Sequence, residues 1–307
     1  MSRIASDLTW LIGSTPLVDL PHLSPQGRRV VVKLEACNPT GSNKDRAALA
    51  MIRQAERSGS LQRGGAIVEC TSGDLGLSIA TVGRCLGYRV LLVMPDGTTQ
   101  DRLRMLRALG AEVVFTDKAL GMRGAMAQTD LLAKQIPGAV CLQPFTNKAN
   151  ARTHAETTAR EIWNDTDGKV DIVVAPIGTG GTAAGCAIAL RERGVAVIGV
   201  EPAASGVMGG GSAGAHDIPG LGAGFIPEIL PPHTLDEIVA VTCEAARDHV
   251  RLLARQEGLL CGPASGAVLA AALSIAQRPT SAGKLLVAVL PDSGDRYLDH
   301  AAFCAED

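Results

Sequence analysis

In the stretch "CNPTGSNKDRAALAMI", residues 37 to 52, a single lysine, Lys44, stands where a β-branched run, "VVVKLE", hands over to a helical pattern. Ser42 with Asp45 three residues on reads as a capping box, which begins a helix at about Asn43 and puts Lys44 in its first turn. A cation there opposes the positive end of the helix macrodipole. That field and partial burial both favour the neutral amine, the form that attacks a carbonyl to make a Schiff base. A solvated surface lysine is the ordinary occupant of such a position, so the chemical reading rests on the company Lys44 keeps.

Two further strand-to-helix turns keep that company. In "APIGTGGTAAG", residues 175 to 185, an apolar strand runs into Gly178, Thr179, Gly180, Gly181 and Thr182 and then into a helix of small residues. Glycines admit a close backbone approach and helix-start N–H groups face outward, an arrangement that holds a phosphate. The same letters also fit a dinucleotide fingerprint of Gly178, Gly180 and Ala183, with Glu201 ending the next strand to take a ribose. That alternative implies an NAD-dependent dehydrogenase. In "ECTSGDLGLSIA", residues 69 to 80, Thr71, Ser72, Gly73 and Asp74 form the tip of a turn whose hydroxyls and N–H groups suit a carboxylate. An ordinary N-cap explains Ser72 or Asp74 equally well.

The elements that must position these turns alternate along the chain. "AIVEC", "RVLLVM" and "EVVF" read as strands separated by helices from Lys44, from Leu75 and near Thr99. A second series holds "VDIVVAPI", "VAVIGVE" and "LLVAVL", with helices before Trp163, from Thr182, around Ala245 to Gln256 and after Ser265. This rhythm predicts an α/β fold of two domains with parallel-rich twisted sheets flanked by helices. The expected division gives a smaller domain at 45–147 carrying the TSGD loop and a larger one at 1–44 plus 148–307 carrying the phosphate turn. "STPLVDL" fits either unit, and the glycine-rich stretch 206 to 225 reads as a long irregular loop.

Composition narrows the partners. A net charge of −2, interleaved charges and 3% aromatic residues give no surface for nucleic acid. No apolar run reaches the roughly 20 residues of a membrane span, and the start of the chain lacks a signal-peptide layout, so a cytoplasmic protein is expected. The eight cysteines contain no CxxC pair and the six histidines no HxxxH spacing, which predicts reduced thiols and no metal.

"NPTGSNKDRA", "TSGDLG", "GTGGT", "CGPASGA" and "LPDSGDRYL" occur in the order and approximate spacing of the cysteine synthase family, and the chain resembles that family from "IGSTPLVDL" to "GDRYL". It looks closest to the B-type cysteine synthases, pyridoxal-phosphate enzymes of fold type II, the fold of the tryptophan synthase β subunit. The resemblance implies that Lys44 carries pyridoxal 5'-phosphate and acts as the catalytic base, and that Gly178 to Thr182 hold the cofactor's phosphate. It implies cofactor contacts from Asp74 and Ser265, and substrate contacts from Thr71, Ser72, Gly73, Asp74 and Gln143. The implied reaction is β-replacement on an O-activated L-serine, acetyl or phosphoryl, with sulfide. The family also implies a homodimer and, in some members, binding of the serine acetyltransferase tail, which the altered loop disfavours here.

Four positions depart from the family pattern: Asp74 stands for asparagine and Leu75 for threonine in TSGNTG, Pro144 for a glutamine one place after Gln143, and Ala264 for a serine beside Ser265. They keep other readings in play: a nitrogen nucleophile giving diaminopropionate-type products, β-elimination, or a degenerate member that binds cofactor and regulates.

Overall fold

The computed structural model describes residues 4–71 and 73–304, and among them the chain divides into two compact units. Of the described residues, the smaller comprises those up to Ile12 and those from Lys44 to Asn150, and the larger Gly13–Asn43 and those from Ala151 on.

The smaller unit is built on four parallel strands, β3 (Ala66–Cys70), β4 (Arg89–Pro95), β5 (Glu112–Thr116) and β6 (Ala139–Val140), in the order β5-β4-β3-β6. Alternate residues of a strand face opposite sides of its sheet. Ile67, Val90, Leu92 and Met94 accordingly pack with α1 (Lys44–Arg57), α2 (Asp74–Cys85) and α3 (Gln100–Ala108) in one apolar layer. Val68, Cys70, Leu91 and Val93 meet α4 (Gly121–Gln135) on the other face. The helix α4 escapes a periodicity reading because Gly121 and Gly124 weaken its pattern.

The larger unit holds six strands in the order β1-β2-β10-β7-β8-β9, all pairs parallel except β1 (Leu17–Asp19) on β2 (Arg29–Leu34). Strands β7 (Ile172–Pro176), β8 (Ala196–Pro202) and β10 (Leu285–Leu290) are the expected apolar runs, while β9 (Glu237–Val241) is a further edge strand. Val30, Val174, Val200 and Leu286 pack toward α8 (Cys243–Glu257) and α9 (Pro263–Gln277), and Val31, Val173, Val197 and Val287 toward α6 (Thr158–Asp165) and α7 (Gly181–Leu190). Helix α5 (Lys148–Glu156) carries the chain across the division between the units.

The observed division differs from the expected 45–147 and 1–44 plus 148–307 at its edges. The first segment goes with the smaller unit because a 3-10 turn, Leu8–Leu11, lies against α2 and Ile12 packs into that unit's core. "STPLVDL" supplies β1 to the larger sheet. Between 206 and 236 the chain forms turns without a helix or strand, as the glycine content of 206 to 225 predicts.

Candidate active site

In the larger unit, β7 ends at Pro176 and α7 begins at Gly181, so the turn between them is Ile177 to Gly180. Gly180 has φ +88, the left-handed region that favours glycine. A Cβ on Gly178 would run into the carbonyl oxygen of Gly220, so that position also admits only glycine. The first N–H groups of α7 have no partner within their own helix. Thr182 lies in that first turn, and its Oγ1 accepts a hydrogen bond from Asn43 Nδ2 at 2.9 Å. The hydroxyl proton is thereby left to donate, either to His154 Nε2 at 3.3 Å or to an anion at the turn. His154 is fixed from its other side by Thr158 Oγ1, 2.8 Å from Nδ1.

Glu201, the acid of the dinucleotide alternative, is committed elsewhere. It is buried in β8, and its two carboxylate oxygens accept the N–H groups of Met208 and Gly209 at 2.9 and 2.8 Å. It anchors the start of the glycine-rich loop through both oxygens, a structural role that accounts for the acid without a ribose.

Ser265 sits in the first turn of α9, buried, and is tied to Asp292: Oγ donates to Oδ1 at 2.6 Å, the backbone N–H donates to the same oxygen at 2.9 Å, and Oγ also lies 3.2 Å from the Asp292 carbonyl oxygen and accepts the Asp292 N–H at 3.3 Å. Ala264 faces the apolar core of the unit.

In the smaller unit, Lys44 is the first residue of α1, within one residue of the expected start, and half-buried. Ala47, Ala48, Met51 and Ile52 anchor the same helix in the core. The turn from β3 to α2 contains Thr71 and Gly73, with Gly73 N–H donating to Thr71 Oγ1 at 3.2 Å; Ser72 lies outside the described residues. Asp74 opens α2, and its Oδ1 lies 3.5 Å from a terminal nitrogen of Arg102. The cation that an acid at this position calls for is therefore Arg102, which the sequence reading did not single out. Leu75 is buried in the core of the unit, so packing accounts for its type.

Gln143 has φ +55, unusual for a residue with a side chain. Glu69, buried at the end of β3, holds it there: Oε2 accepts the N–H groups of Leu142 and Gln143, both at 2.9 Å. Oε1 accepts Cys70 N–H at 2.9 Å, and the Cys141 thiol donates to Oε2 at 3.6 Å. Burial pushes the Glu69 carboxyl above its usual value, against those donors. The same burial, with Glu69 beside them, raises both thiols. Gln143, Pro144 and Phe145 line a cavity of about 120 Å³ next to this carboxylate.

Asn43, His154, Glu69 and Arg102 thus join the predicted residues. Asn43 lies inside the "NPTGSNKDRA" motif, whereas nothing in the spacing marks the other three. Among the described residues no disulfide forms, no group of His, Cys, Asp and Glu could hold a metal ion, and no helix is long and apolar enough to cross a membrane.

A glycine-lined turn with an oriented hydroxyl at a helix start in the larger unit, and a lysine opening a helix in the smaller, are features of the kind a pyridoxal-phosphate enzyme uses. The family described as pyridoxal-phosphate dependent enzyme matches residues 8–292. The cysteine synthase of Haemophilus influenzae is 42% identical over 98% of each chain. A cysteine synthase structure from Entamoeba histolytica superposes with TM-score 0.95 at 38% identity, covering 100% of this chain and 93% of that one. The structure of an O-ureido-L-serine synthase gives 0.95 at 38% identity, over 99% and 96%. The chain belongs to the pyridoxal-phosphate dependent family, as an enzyme of the cysteine synthase type.

Proposed function

We propose that this enzyme replaces the leaving group at Cβ of an O-activated L-serine, the acetyl ester first, with sulfide, giving cysteine. The observation that carries the reading is the Gly178–Thr182 turn, with no room for a Cβ at Gly178 and the Thr182 hydroxyl held by Asn43, in a chain alike over its whole length to cysteine synthases. Pyridoxal phosphate, when bound, supplies an electron sink for charge developed at Cα.

The residues then act as follows. The N–H groups of the 178–182 turn and the Thr182 hydroxyl hold the phosphate. Lys44 would hold the cofactor through its aldehyde, and its free amine would take the proton from Cα. Thr71 to Asp74 and Gln143 receive the substrate, its carboxylate at the positive end of α2. Ser265 belongs to the cofactor side, with Asp292 fixing its hydroxyl. Acetate leaves from Cβ, and hydrosulfide adds there as the proton returns to Cα. A homodimer and a cytoplasmic location are part of the same reading and rest on the family likeness.

Purified protein given O-acetyl-L-serine or O-phospho-L-serine with sulfide, ammonia or hydroxyurea, with product mass as the readout, tests it. Cysteine from the acetyl ester is expected. Product only with a nitrogen or oxygen nucleophile would favour a second reading, supported by Asp74 and by the likeness to O-ureido-L-serine synthase. No product from any pair would leave only a cofactor-binding regulator. Borohydride reduction should fix the chromophore to the peptide containing Lys44, and label elsewhere would remove Lys44 from its role.

A further inference from the structure

Asp74 is the first residue of α2, at the end of the loop to which the proposed function assigns the substrate carboxylate. Helix N-terminal charge attracts a carboxylate there, and a ligand carboxylate received by the same turn competes for it. Two like charges at one helix start repel unless a cation offsets one of them. Arg102 is that cation: its terminal nitrogen lies 3.5 Å from Asp74 Oδ1, and the two side chains are only 12% and 7% exposed. Arg102 stands in the first turn of α3, next to Leu103, which anchors the helix in the core of the smaller unit. The guanidinium is thus presented to Asp74 by a packed helix.

We propose that Arg102 is a positioning residue for the reaction, which neutralises and orients Asp74 so that an acidic loop accepts an amino-acid substrate. This rests on the proposed function. A carboxylate this buried loses most when only its cation is removed, and much less when both members of the pair are replaced by neutral groups.

The experiment compares the wild-type holoenzyme with Arg102→Met, Arg102→Lys, Asp74→Asn and the Asp74→Asn/Arg102→Met double variant. It reads KM and kcat, the O-acetyl-L-serine concentration that half-converts the cofactor's absorbance, and the thermal unfolding midpoint. Arg102→Met should raise KM and the half-conversion concentration about tenfold or more, with a smaller change in kcat. The double variant should regain most of that loss, and Arg102→Lys should fall between, since it keeps the charge without the planar fork. A double variant as impaired as Arg102→Met, or an Arg102→Met variant altered only in its unfolding midpoint, overturns the proposal. If Arg102→Met does not fold, Arg102→Lys and the double variant carry the comparison. Should the wild type not turn over the ester, the proposed function fails, while coupling between positions 74 and 102 is still read from absorbance and unfolding; its absence there overturns the role of Arg102.

Discussion

Asn43 and Thr182 meet side chain to side chain across 139 residues of sequence, Nδ2 donating to Oγ1 at 2.9 Å. This hydrogen bond occupies one lone pair of the threonine hydroxyl and leaves its proton to donate elsewhere. Thr182→Val keeps the shape and deletes the donor, so cofactor retention on dialysis should fall, with absorbance of the bound chromophore as the measure. Asn43→Ala should weaken retention less, because it removes the orienting group and leaves the donor. Equal retention in both variants and wild type would refute the cradle assignment.

Gly178 is shut in by the carbonyl of Gly220. An added methyl must push backbone aside, because no flexible side chain stands there to give way. Gly178→Ala should lower the unfolding midpoint, by about 1–3 kcal/mol of stability, and should also release cofactor. At Gly180, φ +88 makes alanine strained by roughly 1–2 kcal/mol. A Gly178→Ala protein with wild-type retention and midpoint would contradict this packing.

Ser265 holds Asp292 by two bonds to one oxygen. Ser265→Ala deletes the hydroxyl's contacts with Asp292, the bond accepted from the Asp292 N–H among them, and keeps the Ser265 N–H bond, so a loss of about 1–3 kcal/mol is expected in urea unfolding. If the serine also serves the cofactor, its affinity falls further than stability does, and titration of the cofactor into the stripped protein separates the two effects.

Glu69 predicts a pH dependence. Burial holds its carboxyl in the folded chain above the usual 4.5. A raised value means that the folded state keeps the proton longer than the unfolded chain, so this contribution to stability is full below 4.5 and is lost as pH rises through the folded value. Glu69→Gln has no such titration, though its amide nitrogen must face an N–H that the carboxylate accepted. Urea midpoints compared from about pH 4 to about pH 8 should show the wild type losing ground to Glu69→Gln as pH rises. A constant difference between the two would show that Glu69 does not titrate in this range.

Local patterns made much of the fold legible. Alternating apolar strands and helices gave the two α/β units, because a strand buried on both faces must be a continuous apolar run. Strands β6 and β9 are short, and α4 carries two glycines, so their patterns are too weak to read.

The sequence by itself determined the turns: glycines at 178 and 180, a lysine at the first position of α1, and "TSGD" running from the end of β3 to the first residue of α2. Backbone geometry at a turn depends on the few residues within it, so these letters carry their own explanation. The tertiary structure decided what each side chain answers to. Packing sent Leu75 into a core, turned Glu201 onto the glycine-rich loop, set Gln143 at φ +55 under Glu69, and brought Arg102 to Asp74. Such partners lie on different elements, and their meeting depends on how whole helices and strands pack, which no spacing along the chain records.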